Sequence, residues 1–210
     1  MPLHQRFVCQ IAIAFLLGGL WFNQVQAGEP VNASPAMAPQ PPALTEKDLF
    51  PYKQKGQGTL TGQVFLGSSS GKAITQAGAP VYLIPITLYT RYWFDRTIRG
   101  TACSATGSPA PAEGTAAPRS PTDCAREALP QLRAEKRLAP YLRVTRANPT
   151  GHFWFTKIPA GRYYIVSLIE GGSGTHQDEE STGLAWLILD LEAGDKASNL
   201  VVTDCKTNLC

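Results

Sequence analysis

The sequence predicts an all-β protein: an antiparallel β-sandwich of about seven strands, with one disulfide-tied insertion and a short helix. Three observations predict it. Short segments alternate apolar and polar residues at period two, the mark of half-buried strands. Turn signals recur between those segments, and 19 Gly with 17 Pro in 210 residues favour many turns over long helices. Hydrophobic residues make up 43% and charged residues 17%, a globular composition able to fill one core between two layers.

Two segments precede the strands. Residues 1–27 have the layout of a secretory signal, with Arg6 at the start, an apolar run from Phe7 to Phe22, and Val25-Gln26-Ala27 as a small-residue cleavage site. Gly18-Gly19 interrupts the run, leaving it short of the roughly 20 residues that span a bilayer. Cleavage near Ala27 is therefore expected rather than a membrane anchor, and the mature chain is expected to be soluble, secreted or periplasmic, with no membrane span. Cys9 follows Phe7-Val8 rather than a small residue and does not resemble a lipid-attachment site. Residues 28–57 carry Pro30, Pro35, Pro39, Pro41, Pro42 and Pro51 among Ala, Gln and Glu, which predicts a flexible spacer. The domain proper is expected over 58–210, with an insertion at about 100–140.

Within it, Thr59–Leu66 places Leu60, Gly62, Val64 and Leu66 on one side of a strand that ends in the turn Gly67-Ser68-Ser69-Ser70-Gly71. Ala79–Ile84 is a second strand, and Pro80 and Pro85 place it near a sheet edge. Tyr89–Ile98 is dense in aromatic side chains but ambiguous in period. Thr101–Asp123 is a long loop of Ala, Pro, Ser, Thr and Gly, a length uncommon in compact domains unless tied down or functional. Good helix formers fill Ala125–Ala139, but Pro130 splits them, so a short helix starting at Pro130 is expected. Strands follow at Tyr141–Arg146, His152–Thr156, Arg162–Ile169, Leu184–Leu191 and Asn199–Thr203. Asn148-Pro149-Thr150-Gly151, Pro159-Ala160-Gly161, the polar loop Gly171–Gly183 and Gly194-Asp195 separate them.

Once the signal is removed, Cys103, Cys124, Cys205 and Cys210 remain, an even number in an exported chain, which predicts two disulfides. Three pairings are possible. Proximity favours Cys103 with Cys124 and Cys205 with Cys210, across loops whose closure would contribute about 3 and about 2 kcal/mol. Zinc is the competing reading, but no histidine lies near either pair.

Gly151-His152-Phe153-Trp154-Phe155-Thr156-Lys157-Ile158-Pro159-Ala160-Gly161-Arg162-Tyr163-Tyr164-Ile165 resembles the G-x-F-x-F-x-x-(aliphatic)-P-x-G-x-Y-x-(aliphatic) signature of carboxypeptidase regulatory-like domains, also described as prealbumin-like or transthyretin-like. Gly62-Gln63-Val64 and Gly78-Ala79-Pro80-Val81-Tyr82-Leu83 resemble that family's first two strands. The resemblance implies a prealbumin-like sandwich with a structural or accessory role in the cell envelope, whose ligands would be proteins or carbohydrates. Physically, Gly151 allows a positive φ in the turn, Phe153 and Phe155 enter the core, Pro159 and Gly161 form a tight reversal, and Tyr163 returns on the same face. The motif is thus expected to be a core hairpin without catalytic groups.

Other chemistry finds little support. With 19 Lys and Arg against 16 Asp and Glu, and no block of like charges, nucleic-acid binding has no electrostatic footprint. Gly67–Gly71 matches G-x-S-x-G around Ser69, and Ser69 with Lys72 matches S-x-x-K, but both motifs need a following helix where a strand is expected. His152 is expected to face solvent beside the inward Phe153. His176-Gln177-Asp178-Glu179-Glu180 could hold a cation, although a solvated acidic loop is the simpler reading, and adjacent acids on a loop lack the fixed separation of a glycosidase pair. No enzyme activity, cofactor or metal is expected. The best candidate for recognition is Tyr89, Arg91, Tyr92, Trp93, Asp95 and Arg96, whose rings could stack on sugars or peptide side chains, against the plainer reading that they pack beneath the insertion. Trp154 and Tyr164 lie opposite Phe153 and Tyr163, so a helix or the insertion covers them or they form an exposed apolar patch. The expected function is a non-catalytic module with an envelope protein as partner; the alternatives are a carbohydrate-binding module and, third, a hydrolase using Ser69 and His176.

Overall fold

The computed structural model describes residues 40–68, 71–99, 120–170 and 182–204, all within the unit Pro39–Cys210. They are mostly β, with a few helices. In order they form α1 (Glu46–Leu49), a 3-10 turn (Phe50–Lys53), β1 (Gly58–Val64), β2 (Leu66–Gly67), β3 (Ala73–Ile74), β4 (Pro80–Pro85), α2 (Leu88–Thr97), α3 (Pro121–Ala134), β5 (Arg143–Arg146), β6 (His152–Ile158), β7 (Gly161–Glu170), β8 (Thr182–Leu191) and β9 (Lys196–Val202). A three-stranded sheet runs β6-β1-β9, a four-stranded sheet β5-β4-β7-β8, and β2 with β3 forms a small hairpin.

One core joins the two larger sheets. From β1 and β6 it receives Leu60, Val64, Phe153 and Phe155, and from β4 and β7 it receives Val81, Leu83, Tyr163 and Ile165. Alternation works on β1 and β6 as expected, with Leu60, Gly62 and Val64 buried and His152 and Trp154 turned outward. On β7 it fails, because Tyr163 to Ser167 are all buried. That strand is covered on both faces, by the opposite sheet on one and by helices on the other. Phe94 of α2 stacks on Tyr164 at 3.9 Å between centroids and meets Trp186 edge-on at 5.2 Å, while α3 packs on β7 and β8.

Several expectations are corrected. The Pro159-Ala160-Gly161 reversal is not a hairpin: β6 pairs with β1 and β7 pairs with β4 and β8, so the turn carries the chain from one sheet to the other. Tyr163 still returns to the same core, its hydroxyl donating to the Pro159 carbonyl at 2.9 Å. The sheets are not wholly antiparallel either, since β9 runs parallel to β1. The Glu192–Asp195 turn sends β9 across from the four-stranded sheet, and the Asp195 carbonyl accepts from the Thr59 amide at 2.9 Å, so both strands start at the same end. Strand β4 is interior despite its two prolines, which occupy its terminal positions and cost the ladder little.

The helices depart from expectation too. A helix, α2, forms where the period was ambiguous, and α3 begins at Pro121 rather than Pro130. Ser120 caps α3 by accepting from the Asp123 amide, and Pro121 stands at the first position, where a missing N–H costs nothing. Pro130 lies inside the helix on an exposed face. The domain also begins before Gly58. Leu44, Leu49 and Tyr52, in the second half of the expected spacer, are buried in the core.

Candidate functional site

The six residues expected to recognise a ligand lie on α2. Thr87 caps the helix, exchanging hydrogen bonds with Thr90 in a capping box. Thr90, Phe94 and Thr97 are buried at helical spacing, and Thr90 also donates to the Pro85 carbonyl at 2.7 Å. Tyr89 and Trp93 pack partly buried against the core. Burial, and next the negative charge of Glu135, raise the Tyr89 pKa. The Arg96 guanidinium donates to the Tyr92 hydroxyl at 2.5 Å with its carbon 5.4 Å from that ring's centroid, while Asp95 pairs with Arg99 at 3.8 Å. Arg91 is exposed. Of the six, Tyr89 and Trp93 pack against the core beside the buried stripe of the helix, while Arg91 and Asp95 are exposed.

The motif residues sit where the fold changes sheet. Gly151 has φ +83°, and a Cβ there would run into the Val64 carbonyl, so only glycine fits. Phe153 and Phe155 meet edge-on at 6.0 Å in the core. Gly161 has φ +151°, and a Cβ there would come within 2.7 Å of the Tyr52 ring. The glycine of the reversal thus makes room for an aromatic from the N-terminal segment. Burial raises the pKa of Tyr163 strongly, and that of Tyr52 as well.

The two outer faces differ. That of the four-stranded sheet is roofed by α2 and α3, which is why Tyr164 is buried. On the three-stranded sheet Trp154 is 58% exposed and Val201 53% exposed. Register sets Thr61 beside Trp154, and Gln63 between His152 and Val201, on this face. Thr156 is exposed next along β6. The Gln63 amide donates to the Thr150 carbonyl at 2.8 Å, and the Thr150 hydroxyl lies 2.9 Å from Nδ1 of His152, so the face's polar groups are held in place. Two residues with positive φ, Lys157 and Asn199, mark the irregularities where β6 and β9 shift register along β1. The arrangement sets one indole among threonine hydroxyls, an amide and an imidazole. Opposition to inward Phe153 signals in the sequence that Trp154 faces out; that nothing among the described residues roofs it does not show there.

Of the cysteines, Cys124 alone is described, buried on α3. Cys103, Cys205 and Cys210 lie outside the described residues, as do the signal segment, most of the 101–123 loop, Ser69 and the acidic loop at His176. Lys72 leads from the Ser68–Gly71 turn into β3, so strand follows strand there. Among the described residues no group of three or more His, Cys, Asp or Glu could hold a metal, and no helix is long and apolar enough to cross a membrane.

No protein-family model matches the chain, and no curated protein matches it. Among solved structures, a candidate carbohydrate binding protein from Pseudomonas aeruginosa is similar over 78% of this chain and 99% of its own, with a TM-score of 0.53 at 20% identity. That likeness concerns the fold. The pilus backbone of Streptococcus pneumoniae aligns with 69% of this chain and 41% of its own at 11% identity, with a TM-score of 0.26, too low to carry any argument.

Proposed function

We propose that this chain is an exported, non-catalytic β-sandwich module of carboxypeptidase regulatory-like type. It serves as an accessory or interaction module of the cell envelope and binds through the outer face of its three-stranded sheet. The observation that carries this reading is the exposed Trp154 on a face that no helix among the described residues covers, while the other sheet's outer face is roofed. An exposed indole on a strand adds little to the core, and Trp is among the side chains that contribute most when an interface does form. A photo-crosslinking side chain placed at Thr61 of the full chain, beside Trp154, tests it in the native envelope. A discrete crosslinked product, lost on Trp154→Ala, is expected; crosslinking unchanged by that substitution overturns the assignment of the face.

A carbohydrate ligand is the second reading. Its support is the setting of Trp154, an apolar ring among the hydroxyls of Thr61 and Thr156, the amide of Gln63 and the imidazole of His152, which suits a sugar's apolar face and its hydroxyl rim. The name carried by the Pseudomonas aeruginosa structure points the same way. Oligosaccharides that quench tryptophan fluorescence in the wild type and not in Trp154→Ala would establish it, and an unresponsive glycan panel would leave the protein-contact reading.

A further inference from the structure

The N-terminal segment Leu44–Gly56 is attached to the domain differently from every strand. It lies on the surface and inserts three side chains, Leu44, Leu49 and Tyr52, while Thr45, Glu46, Lys47, Phe50, Pro51 and Lys53 stay exposed. Much of its order is internal. Thr45 and Asp48 cap each other, and Lys53 pairs with Glu46 at 3.3 Å across the short helix and turn.

Its described hydrogen bonds to the rest of the domain each use a side chain on one partner. The Tyr52 hydroxyl lies 2.8 Å from the Arg162 carbonyl and 3.1 Å from that of Ile86, and the Arg137 guanidinium donates to the Leu44 carbonyl at 2.9 Å. The receiving surface is shaped for it. Gly161 lacks the side chain that would strike the Tyr52 ring, Tyr163 meets that ring edge-on at 5.3 Å, and a Cβ on Gly56 would collide with the backbone of Ile158 and Pro159. Few buried contacts and no described strand ladder are the features of a segment that opens locally before the core does.

We propose that Leu44–Gly56 is a separable strap, a peptide ligand held in cis. The groove beneath its Tyr52 and Gly56, formed by Ile86, Pro159, Gly161, Arg162 and Tyr163, is a binding site for a peptide that takes up the same short helix and 3-10 turn, with Tyr preceded by Leu at the spacings of Tyr52, Leu49 and Leu44. Its occupant is the chain's own segment. Its release leaves both sheets folded.

Hydrogen exchange on the full chain, together with a labelled synthetic peptide of residues 42–57, tests the proposal. In the wild type the amides of Leu49, Phe50, Tyr52 and Lys53 exchange through an opening that leaves β7 protected. Tyr52→Ala raises their exchange on the order of tenfold with β7 unchanged. The peptide binds the Tyr52→Ala chain and not the wild type, whose groove is filled, and a peptide carrying the same substitution binds neither. Common exchange of strap and β7 in the wild type overturns the proposal. So does loss of β7 protection in Tyr52→Ala, which would make the segment part of the cooperative core, or failure of the peptide to bind a Tyr52→Ala chain that keeps that protection.

Discussion

Single side chains at the two edges of the core carry much of the energetics. Phe94 stacks on Tyr164 and meets Trp186, so Phe94→Ala removes both contacts beneath α2 and should cost about 3–5 kcal/mol in urea unfolding. Tyr52, Tyr163 and Tyr164 share another property: burial raises the pKa of each phenol above its ordinary value, which favours the neutral ring in the folded state. The associated stability is present below the ordinary tyrosine range, about pH 10, and is lost as pH climbs through the raised folded values. Phenolate absorbance should therefore rise together with unfolding in an alkaline titration, whereas smooth ionisation of all tyrosines ahead of unfolding would contradict the burial.

At the scale of elements, the two longer helices are defined by their first turns. Thr87→Ala removes the hydroxyl that accepts from Thr90 and should cost about 1 kcal/mol in stability. Pro130→Ala supplies a missing N–H within α3 and should raise the melting temperature; a lowered one would show that the ring's packing matters more than the hydrogen bond. The capping pair Thr87 and Thr90, with Thr90, Phe94, Thr97 and Ile98 at helical spacing, was the signal for α2 present in the sequence. Two threonines in the buried stripe hid it, because they look polar; Thr90 bonds internally to Thr87 and the Pro85 carbonyl. Strand β7 was found by its period on one face alone, since its second buried face exists only where helices cover it.

For the whole molecule, three layers give the two sheets different roles: one lies between core and helices, and the other is open on Trp154. Trp154→Ala should change unfolding stability by no more than about 0.5 kcal/mol, as for an exposed position, while removing ligand binding. The sequence predicts two disulfides among Cys103, Cys124, Cys205 and Cys210. Alkylation of the unfolded, unreduced mature protein should label none of the four, and mass analysis of its peptides would identify the pairing. The aromatic cluster on α2 was legible in the sequence, but not that Tyr89 and Trp93 pack against the core, because composition does not distinguish a ring that meets a ligand from one that meets a sheet.

Period-two alternation and turn residues by themselves determined that this chain is β-rich and which side chains of β1 and β6 point inward, since those properties depend on neighbours along the backbone. Tertiary structure alone decided that the Pro159–Gly161 reversal changes sheets, that β9 runs parallel to β1, that Tyr52 fills the space left by Gly161, and that Tyr164 is covered while Trp154 is not. Each of those depends on contacts between segments distant in sequence, and an alternating pattern is the same whichever sheet a strand joins and in whichever direction it runs.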